Sequence, residues 1–209
     1  MAKHKKSRRP PIFAYINLAN AITSLSVACS VCAILFAMHG HTFTALWVGV
    51  ATIPCDVFDG VVARKRNTSS SFGGQLDSLA DAIGFGVLPA VLGYSLGLTG
   101  AAALLLVAYP LSAVWRLAYF NEAGMTADAH GRQCFTGMPT TLAAAIFYVV
   151  APLGLWLPAQ VRYVLLAVFF VATTLLMNSP YAFPKKSFYA RILWLAIPIA
   201  LGSLAFLKR

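Results

Sequence analysis

Four of the six acidic residues stand in stretches that are otherwise apolar: Asp56, Asp59, Asp77 and Asp81. A carboxylate near the centre of a bilayer costs about 2.5–3.5 kcal/mol, so a group of four requires a cation or a polar cavity. Asp56 and Asp59 are three residues apart and Asp77 and Asp81 are four apart, so each pair lies on one helix face. All-oxygen ligands suit hard ions. The sequence therefore predicts that the four aspartates bind Mg²⁺ or Mn²⁺, with Ca²⁺ as an alternative.

Small residues and one arginine accompany these carboxylates. Gly60, Ala63, Gly73 and Gly74 either allow two helices to pack closely or allow a ligand to approach the backbone. The short connection from Lys65 to Phe72 holds the two aspartate-bearing helices side by side. Together with the carboxylates and Arg64, the small residues favour a substrate pocket over simple helix packing.

The elements that must position these residues are membrane helices. The chain has 209 residues, of which 59% are hydrophobic and 11% charged. Apolar runs of about 20 residues, the length that spans a bilayer, recur along it, and in lipid such runs must be helical. We therefore predict an all-α, polytopic membrane helix bundle. The predicted spans are Tyr15–Met38, Phe43–Arg64, Gly73–Leu96, Ala101–Phe120, Gly137–Leu157, Tyr163–Met177 and Ile192–Leu207.

The basic residues indicate how the bundle is oriented. They cluster in the N-terminal tail, after the second span, at Arg132 and after the sixth span, all on the same side of the membrane. The positive-inside rule places that side in the cytoplasm. We predict a basic cytoplasmic tail over residues 1–12 and one transmembrane catalytic domain over residues 13–209. The net charge of +10 indicates topology and attraction to membrane lipids, and no nucleic-acid partner is expected.

The aspartate motif resembles a known family. It reads Asp56-x-x-Asp59-Gly60-x-x-Ala63-Arg64, then eight residues, then Gly73-x-x-x-Asp77-x-x-x-Asp81. This pattern is similar to the signature of the CDP-alcohol phosphotransferase family. The resemblance implies a homodimeric membrane enzyme with a six-helix core that binds a CDP-linked donor and divalent metal at its cytoplasmic end. The seventh predicted span is then a C-terminal helix beyond that core.

The resemblance also implies roles for individual residues. Asp56, Asp59 and Asp77 are expected to bind metal, and Asp81 is expected to assist them and to act as the general base. Arg64 is expected near the active-site phosphates. The residues expected to contact the CDP-linked lipid are Asn20, Thr23, Asp56, Gly60, Ala63, Arg64, Gly73 and Asp77.

Further segments resemble the phosphatidylserine synthase branch of this family. They are Phe72–Asp81 with Phe85-Gly86 and Pro89-Ala90, Arg116-Leu117-x-x-Phe120-Asn121, Phe135-x-Gly137-Met138-Pro139 and Ser179-x-x-x-Phe183-Pro184. The chain departs from that branch at Thr140-Thr141-Leu142-Ala143, where a second proline and a small residue are usual. The resemblance implies transfer of a phosphatidyl group from CDP-diacylglycerol to L-serine, giving phosphatidylserine and CMP, in a prokaryotic inner or plasma membrane.

Other functions remain open at this point. The acceptor alcohol is L-serine or else glycerol phosphate, an inositol compound or another amino alcohol. Arg116 and Arg132 either bind an acceptor carboxylate or a lipid phosphate, or extend toward the membrane interface. A divalent-cation transporter is a remote alternative. It requires polar residues through the depth of the bundle, whereas these carboxylates gather toward one end.

Overall fold

Helices make up nearly all of the structure, a computed structural model that describes residues 11–127, 131–184, 198 and 202. The helices are α1 (Leu18–Met38), α2 (Thr42–Val50), α3 (Thr52–Lys65), α4 (Ser71–Asp81), α5 (Leu88–Ser95), α6 (Ala103–Ala123), α7 (Thr140–Leu155) and α8 (Ala159–Met177). A π-helical turn, Ala82–Val87, joins α4 to α5. The predicted helical membrane bundle is confirmed. Most of the predicted span Ile192–Leu207, all but residues 198 and 202, and most of the predicted tail lie outside the described residues.

The lengths and surfaces of the helices agree with insertion in a membrane. In the described residues, five helical stretches of 19–25 residues are apolar enough to cross a bilayer, and α7 is a shorter apolar helix. Large apolar side chains point outward along them, including Leu104 at 73%, Trp115 at 74% and Leu175 at 68% exposure. Burial in lipid stabilises such side chains, whereas water around them would oppose folding.

The second predicted span is broken rather than continuous. It consists of α2 and α3, which meet at Ala51. Pro54 in the first turn of α3 has no N–H to donate to the carbonyl of Val50, and its ring crowds that carbonyl. The chain therefore starts a new helix at Ala51, which sets the direction in which α3 carries Asp56 and Asp59.

A face of small residues on α1 brings the neighbouring helices close. Ala19, Ser26, Ser30, Ala33 and Ala37 are all buried on this helix. Small side chains allow close approach of helix axes, and α1 packs against α3 and α4, which carry the aspartates. On the other side of the bundle, aromatic rings of α6, α7 and α8 fill the core.

A small antiparallel sheet closes one end of the bundle. Its strands are β1 (Thr126–Ala127), β2 (Gln133–Thr136) and β3 (Ala182–Pro184), in the order β1-β2-β3. Phe135 of β2 pairs with Phe183 of β3, so the α6–α7 connection is tied to the chain that follows α8. Strands this short carry almost no signal in the sequence, and we did not predict them.

Gly137 directly follows β2, and two separate constraints require a glycine at this position. Its φ is +73°, and an added Cβ would collide with the carbonyl oxygen of Met177. Gly131 has a similar φ of +71°, and no atom of the described residues lies within 4 Å of a Cβ added there. Gly131 therefore provides a control in which only the backbone conformation is disfavoured.

We expect Gly131→Ala to cost about 1–2 kcal/mol, the penalty of a left-handed conformation. Gly137→Ala should cost clearly more, because the clash adds to the same penalty. Thermal unfolding of both variants in detergent measures the difference. Equal losses of stability would show that the contact with Met177 is not a constraint.

Candidate active site

Three carboxylates converge between α3 and α4. Asp56 and Asp59 of α3 and Asp77 of α4 each offer one oxygen, and these oxygens lie within 4.8 Å of one another. Asp59 is buried at 5% exposure, and the other two are half-buried. Three negative charges this close repel one another strongly in an apolar bundle unless a cation or protons compensate them.

The fourth aspartate lies beside this group. Asp81, the last residue of α4, is within hydrogen-bond reach of the Asp56 carboxyl. It is not part of the set whose oxygens all lie within 4.8 Å. The structure thus brings all four predicted aspartates to one place, with Asp81 on the side of Asp56.

A threonine of α1 fixes the orientation of Asp59. The Thr23 hydroxyl lies 2.5 Å from Oδ2 of Asp59 and 3.1 Å from the carbonyl oxygen of Ala19. Thr23 is buried at 4% exposure, so this hydrogen bond is shielded from solvent. It occupies one oxygen of Asp59 and leaves the other available to a ligand.

An open cleft of about 550 Å³ adjoins the carboxylates at the end of the bundle where α1 and α4 begin and α3 ends. Its lining includes most of the residues that we predicted to contact the donor: Asn20, Thr23, Gly60, Ala63, Arg64, Gly73 and Asp77, with Asp59. Asp56 and Asp81 are not among the lining residues. Seven of the eight residues predicted to contact the donor therefore line one cavity.

Asn20 lines this cleft but also bonds to the protein. Its side-chain amide donates to the carbonyl oxygen of Tyr15 at 2.7 Å, and the Tyr15 ring stacks on Phe72 at 4.3 Å between centroids. An added Cβ on Gly73 would lie 3.2 Å from Oδ1 of Asn20. Asn20 and Gly73 thus hold the chain before α1, α1 itself and the start of α4 together.

The opposite wall of the cleft carries Arg64. Its side chain is exposed and folds over Gly60, where an added Cβ would lie 3.4 Å from the Nη1 nitrogen. The absence of a side chain at Gly60 leaves room for this guanidinium at the mouth of the cleft.

Sequence reasoning missed several residues of the cleft, namely Ala19, Thr68, Ser69 and Ser70. Ser70 is the N-cap of α4, and its hydroxyl accepts a hydrogen bond from the Gly73 N–H at 3.0 Å. Hydroxyl residues before a helix are a known N-cap signal, which identifies Ser70 in retrospect. The Thr68 hydroxyl has no hydrogen-bond partner among the described residues. Because Ser70 and Gly73 line the cleft, the N-terminus of α4 faces it. This is the positive end of the helix dipole, which favours anionic groups.

The two other predicted arginines lie outside the cleft. Arg116 of α6 is buried at 6% exposure, and its guanidinium carbon lies 5.5 Å and 5.7 Å from the ring centroids of Phe120 and Phe135. Its Nε has no partner within the described part of the chain, and Asp81 is within electrostatic range. Arg132 is exposed in the connection before β2.

The donor set fits a divalent cation. It consists of carboxylate oxygens from two helices, and their mutual repulsion is relieved when they share a positive ion. Neither nitrogen nor sulfur ligands take part, so the site suits a hard ion better than zinc or copper.

The fold and the site together define an integral membrane protein with a carboxylate-lined cleft at one end of a helix bundle. The chain belongs to the CDP-alcohol phosphatidyltransferase family, whose profile matches residues 16–201. This match spans α1 to α8 and therefore includes every aspartate and every residue of the cleft.

Several curated proteins are similar to this chain. A CDP-diacylglycerol–serine O-phosphatidyltransferase of Helicobacter pylori is 36% identical over 141 residues, which cover 65% of this chain and 56% of the relative. One of Mycobacterium leprae is 37% identical over 131 residues, covering 61% and 44%. An archaetidylserine synthase of Methanothermobacter thermautotrophicus is 29% identical over 178 residues, covering 83% and 72%. The chain matches about half the length of the two bacterial relatives.

Neutralising one carboxylate should separate metal binding from stability. We expect Asp77→Asn to weaken Mn²⁺ binding by at least about tenfold and to raise the melting temperature of the metal-free protein, because it relieves repulsion. Glu122→Gln, which neutralises an exposed acid at the end of α6, is the matched control and should change neither quantity. Titration of Mn²⁺ and thermal unfolding in EDTA measure the two effects. Unchanged Mn²⁺ affinity in Asp77→Asn would contradict a metal site at this cluster.

Proposed function

We propose that this protein is a phosphatidylserine synthase-like enzyme that transfers a phosphatidyl group from CDP-diacylglycerol to L-serine and releases CMP. The observation that carries this proposal is the convergence of Asp56, Asp59 and Asp77 within 4.8 Å beside a cleft lined by small residues and Arg64. The family membership supports the donor class. The names of the bacterial and archaeal relatives, which specify serine, support the acceptor.

The cleft is suited to the nucleotide part of the donor. Gly60, Ala63 and Gly73 present little more than backbone, so a flat base and a ribose can approach closely. Arg64 and the N-terminus of α4 both favour the negatively charged diphosphate. Asn20 and Thr23 border the same cavity, where they hold its walls in place.

The carboxylates are proposed to hold a divalent cation, Mg²⁺ or Mn²⁺, with Ca²⁺ as the alternative. When bound, such an ion neutralises the charge of the diphosphate and stabilises the departing CMP. Asp59 supplies one oxygen while the hydrogen bond from Thr23 keeps its other oxygen in place. Asp56 and Asp77 complete the set from neighbouring helices.

Asp81 is proposed as the general base. The serine hydroxyl oxygen attacks the phosphorus of the phosphatidyl group, and its proton passes to the Asp81 carboxylate. A new P–O bond to serine forms as the P–O bond to CMP breaks, so no covalent enzyme intermediate is required. The position of Asp81 beside Asp56, at the edge of the metal-binding set, suits this role.

Arg116 is the better candidate to bind the acceptor carboxylate. It is buried, its Nε has no partner among the described residues, and it lies within electrostatic range of the proposed base. A guanidinium can bind a carboxylate through two parallel hydrogen bonds. Arg132, which is exposed before β2, is the second candidate for an acceptor or a lipid phosphate.

The cellular arrangement follows from the same proposal. Residues 13–209 form one catalytic domain, and the basic tail and the Arg64 connection lie in the cytoplasm, where CDP-linked lipids and serine meet the cleft. The enzyme works as a homodimer in a prokaryotic inner or plasma membrane.

The direct test supplies purified protein with CDP-diacylglycerol, divalent metal and a panel of alcohols, and it measures CMP release. L-serine should give the highest rate, above glycerol phosphate, inositol compounds and ethanolamine. Asp81→Asn should lower the rate with serine by at least about 100-fold, since it removes the proton acceptor. A higher rate with another alcohol would contradict serine and identify that alcohol as the acceptor. If no alcohol leads to CMP release, the proposed transfer reaction is contradicted and the alternative of a divalent-cation transporter is favoured.

The role of Arg116 is tested by a conservative change. Arg116→Lys keeps the charge but removes the planar fork, so we expect the KM for serine to rise about tenfold with little change in the KM for CDP-diacylglycerol. Arg132→Lys is the comparison and should leave both constants close to wild type. Steady-state kinetics with each substrate varied in turn separate the two effects. The opposite pattern would assign the acceptor site to Arg132.

A further inference from the structure

The helix that carries Asp77 and Asp81 changes its winding directly after Asp81. Residues Ala82–Val87 form a π-helical turn, in which the Leu88 N–H bonds to the carbonyl oxygen of Ile83, five residues earlier. Such turns contain one residue more than an α-helical turn and are frequent at functional sites. This one separates the aspartates of α4 from the core residues of α5.

The extra residue changes which side of the helix each residue occupies. At about 100° per residue, an unbroken α-helix would place Asp77, Asp81, Leu88 and Leu92 in one stripe. Leu88 and Leu92 are both 0% exposed in the hydrophobic core, whereas Asp77 lines the cleft. The additional residue in the π-helical turn rotates α5 relative to α4 by roughly 100°. The aspartates of α4 and the leucines of α5 therefore face different surroundings.

The sequence supplies the reason for this turn. In an α-helix the carbonyl of Phe85 would accept from residue 89, but residue 89 is a proline and has no N–H. The proline ring would also crowd that carbonyl, and widening the helix relieves the contact. The carbonyl of Phe85 is therefore left without its usual donor inside a buried segment.

Tyr109 of α6 provides the missing donor. Its hydroxyl donates to the carbonyl oxygen of Phe85 at 3.0 Å, and both residues are buried, at 0% and 1% exposure. Two glycines bring the turn close to its neighbours. An added Cβ would lie 3.0 Å from the Ser30 hydroxyl at Gly84, and 3.3 Å from the Ala113 Cβ at Gly86.

We propose that Tyr109 is a positioning residue for the carboxylate cluster. Its hydroxyl stabilises the π-helical turn, and the turn sets the direction in which α4 presents Asp77 and Asp81. This inference rests on the proposed binding of a divalent cation by those aspartates. Without the hydroxyl, the Phe85 carbonyl loses a buried hydrogen bond, so other windings of this segment compete with the π-helical turn and rotate the aspartates away from Asp56 and Asp59.

Another tyrosine of the same core offers a matched control. Tyr148 is also 0% exposed, but its hydroxyl has no hydrogen-bond partner among the described residues. Both rings pack in the aromatic cluster of α6, α7 and α8, through Phe170 for Tyr109 and Phe147 for Tyr148. Replacement by phenylalanine keeps each ring and removes only the hydroxyl, so the two variants differ in the bond to Phe85.

The test measures Mn²⁺ binding to purified Tyr109→Phe and Tyr148→Phe, from the electron paramagnetic resonance signal of free Mn²⁺. We expect Tyr109→Phe to bind Mn²⁺ about tenfold more weakly than wild type, the factor that one unpaired buried carbonyl corresponds to. Tyr148→Phe should bind it with wild-type affinity. Melting temperatures in EDTA accompany both titrations, because loss of folded protein lowers the number of sites without changing the affinity of those that remain. Wild-type affinity in Tyr109→Phe would overturn the inference.

A second variant covers the case in which Tyr109→Phe does not fold. Pro89→Ala supplies an N–H at residue 89 that can donate to the Phe85 carbonyl, so the segment can form an ordinary α-helix. It should therefore also weaken Mn²⁺ binding about tenfold. Unchanged affinity in a folded Pro89→Ala, or a wild-type protein that binds no Mn²⁺, would overturn the inference. CMP release is measured in parallel. A wild type that binds Mn²⁺ but releases no CMP with any alcohol contradicts the proposed function alone.

Discussion

Mutual repulsion of carboxylates inside an apolar bundle is the constraint on which the rest of the structure depends. Carboxylate oxygens of Asp56, Asp59 and Asp77 lie within 4.8 Å of one another because three separate structural features position these side chains. The break at Ala51 aims α3, the Thr23 hydroxyl holds Asp59, and the π-helical turn directs the end of α4. Without a compensating cation or protons this repulsion costs stability, and the packing of the small-residue face of α1 and of the aromatic core opposes that loss.

The sequence predicts the bundle and the aspartates well because both depend on regular spacing. Hydropathy defines the spans, and separations of three and four residues place carboxylates on a shared face. The break at Ala51 lies just before Pro54, and the π-helical turn lies just before Pro89. A proline inside a span is also compatible with an unbroken helix, as Pro110 in α6 demonstrates. Which outcome occurs depends on neighbouring side chains that one sequence does not reveal.

The polar residues of α1 illustrate a second limit. Asn20 and Thr23 border the cleft as the resemblance implies, yet their side chains bond to Tyr15 and Asp59. A motif records that a polar residue is needed at a position without recording whether it touches the ligand or supports a group that does. The short sheet is a comparable case, because its pairing joins β2 and β3 across the whole of α7 and α8 and so leaves no local pattern.

The length of α7 has a consequence for the surrounding lipid. Its 16 residues extend about 24 Å, less than the roughly 30 Å of a bilayer's hydrocarbon region. A helix this short is accommodated by local thinning of the bilayer, by flanking residues that extend to the interface or by oligomerisation. The end that follows β2 adjoins Phe135, on whose ring Arg116 lies. Thinning of the bilayer at that end would bring water closer to the Arg116 guanidinium than the average membrane thickness implies.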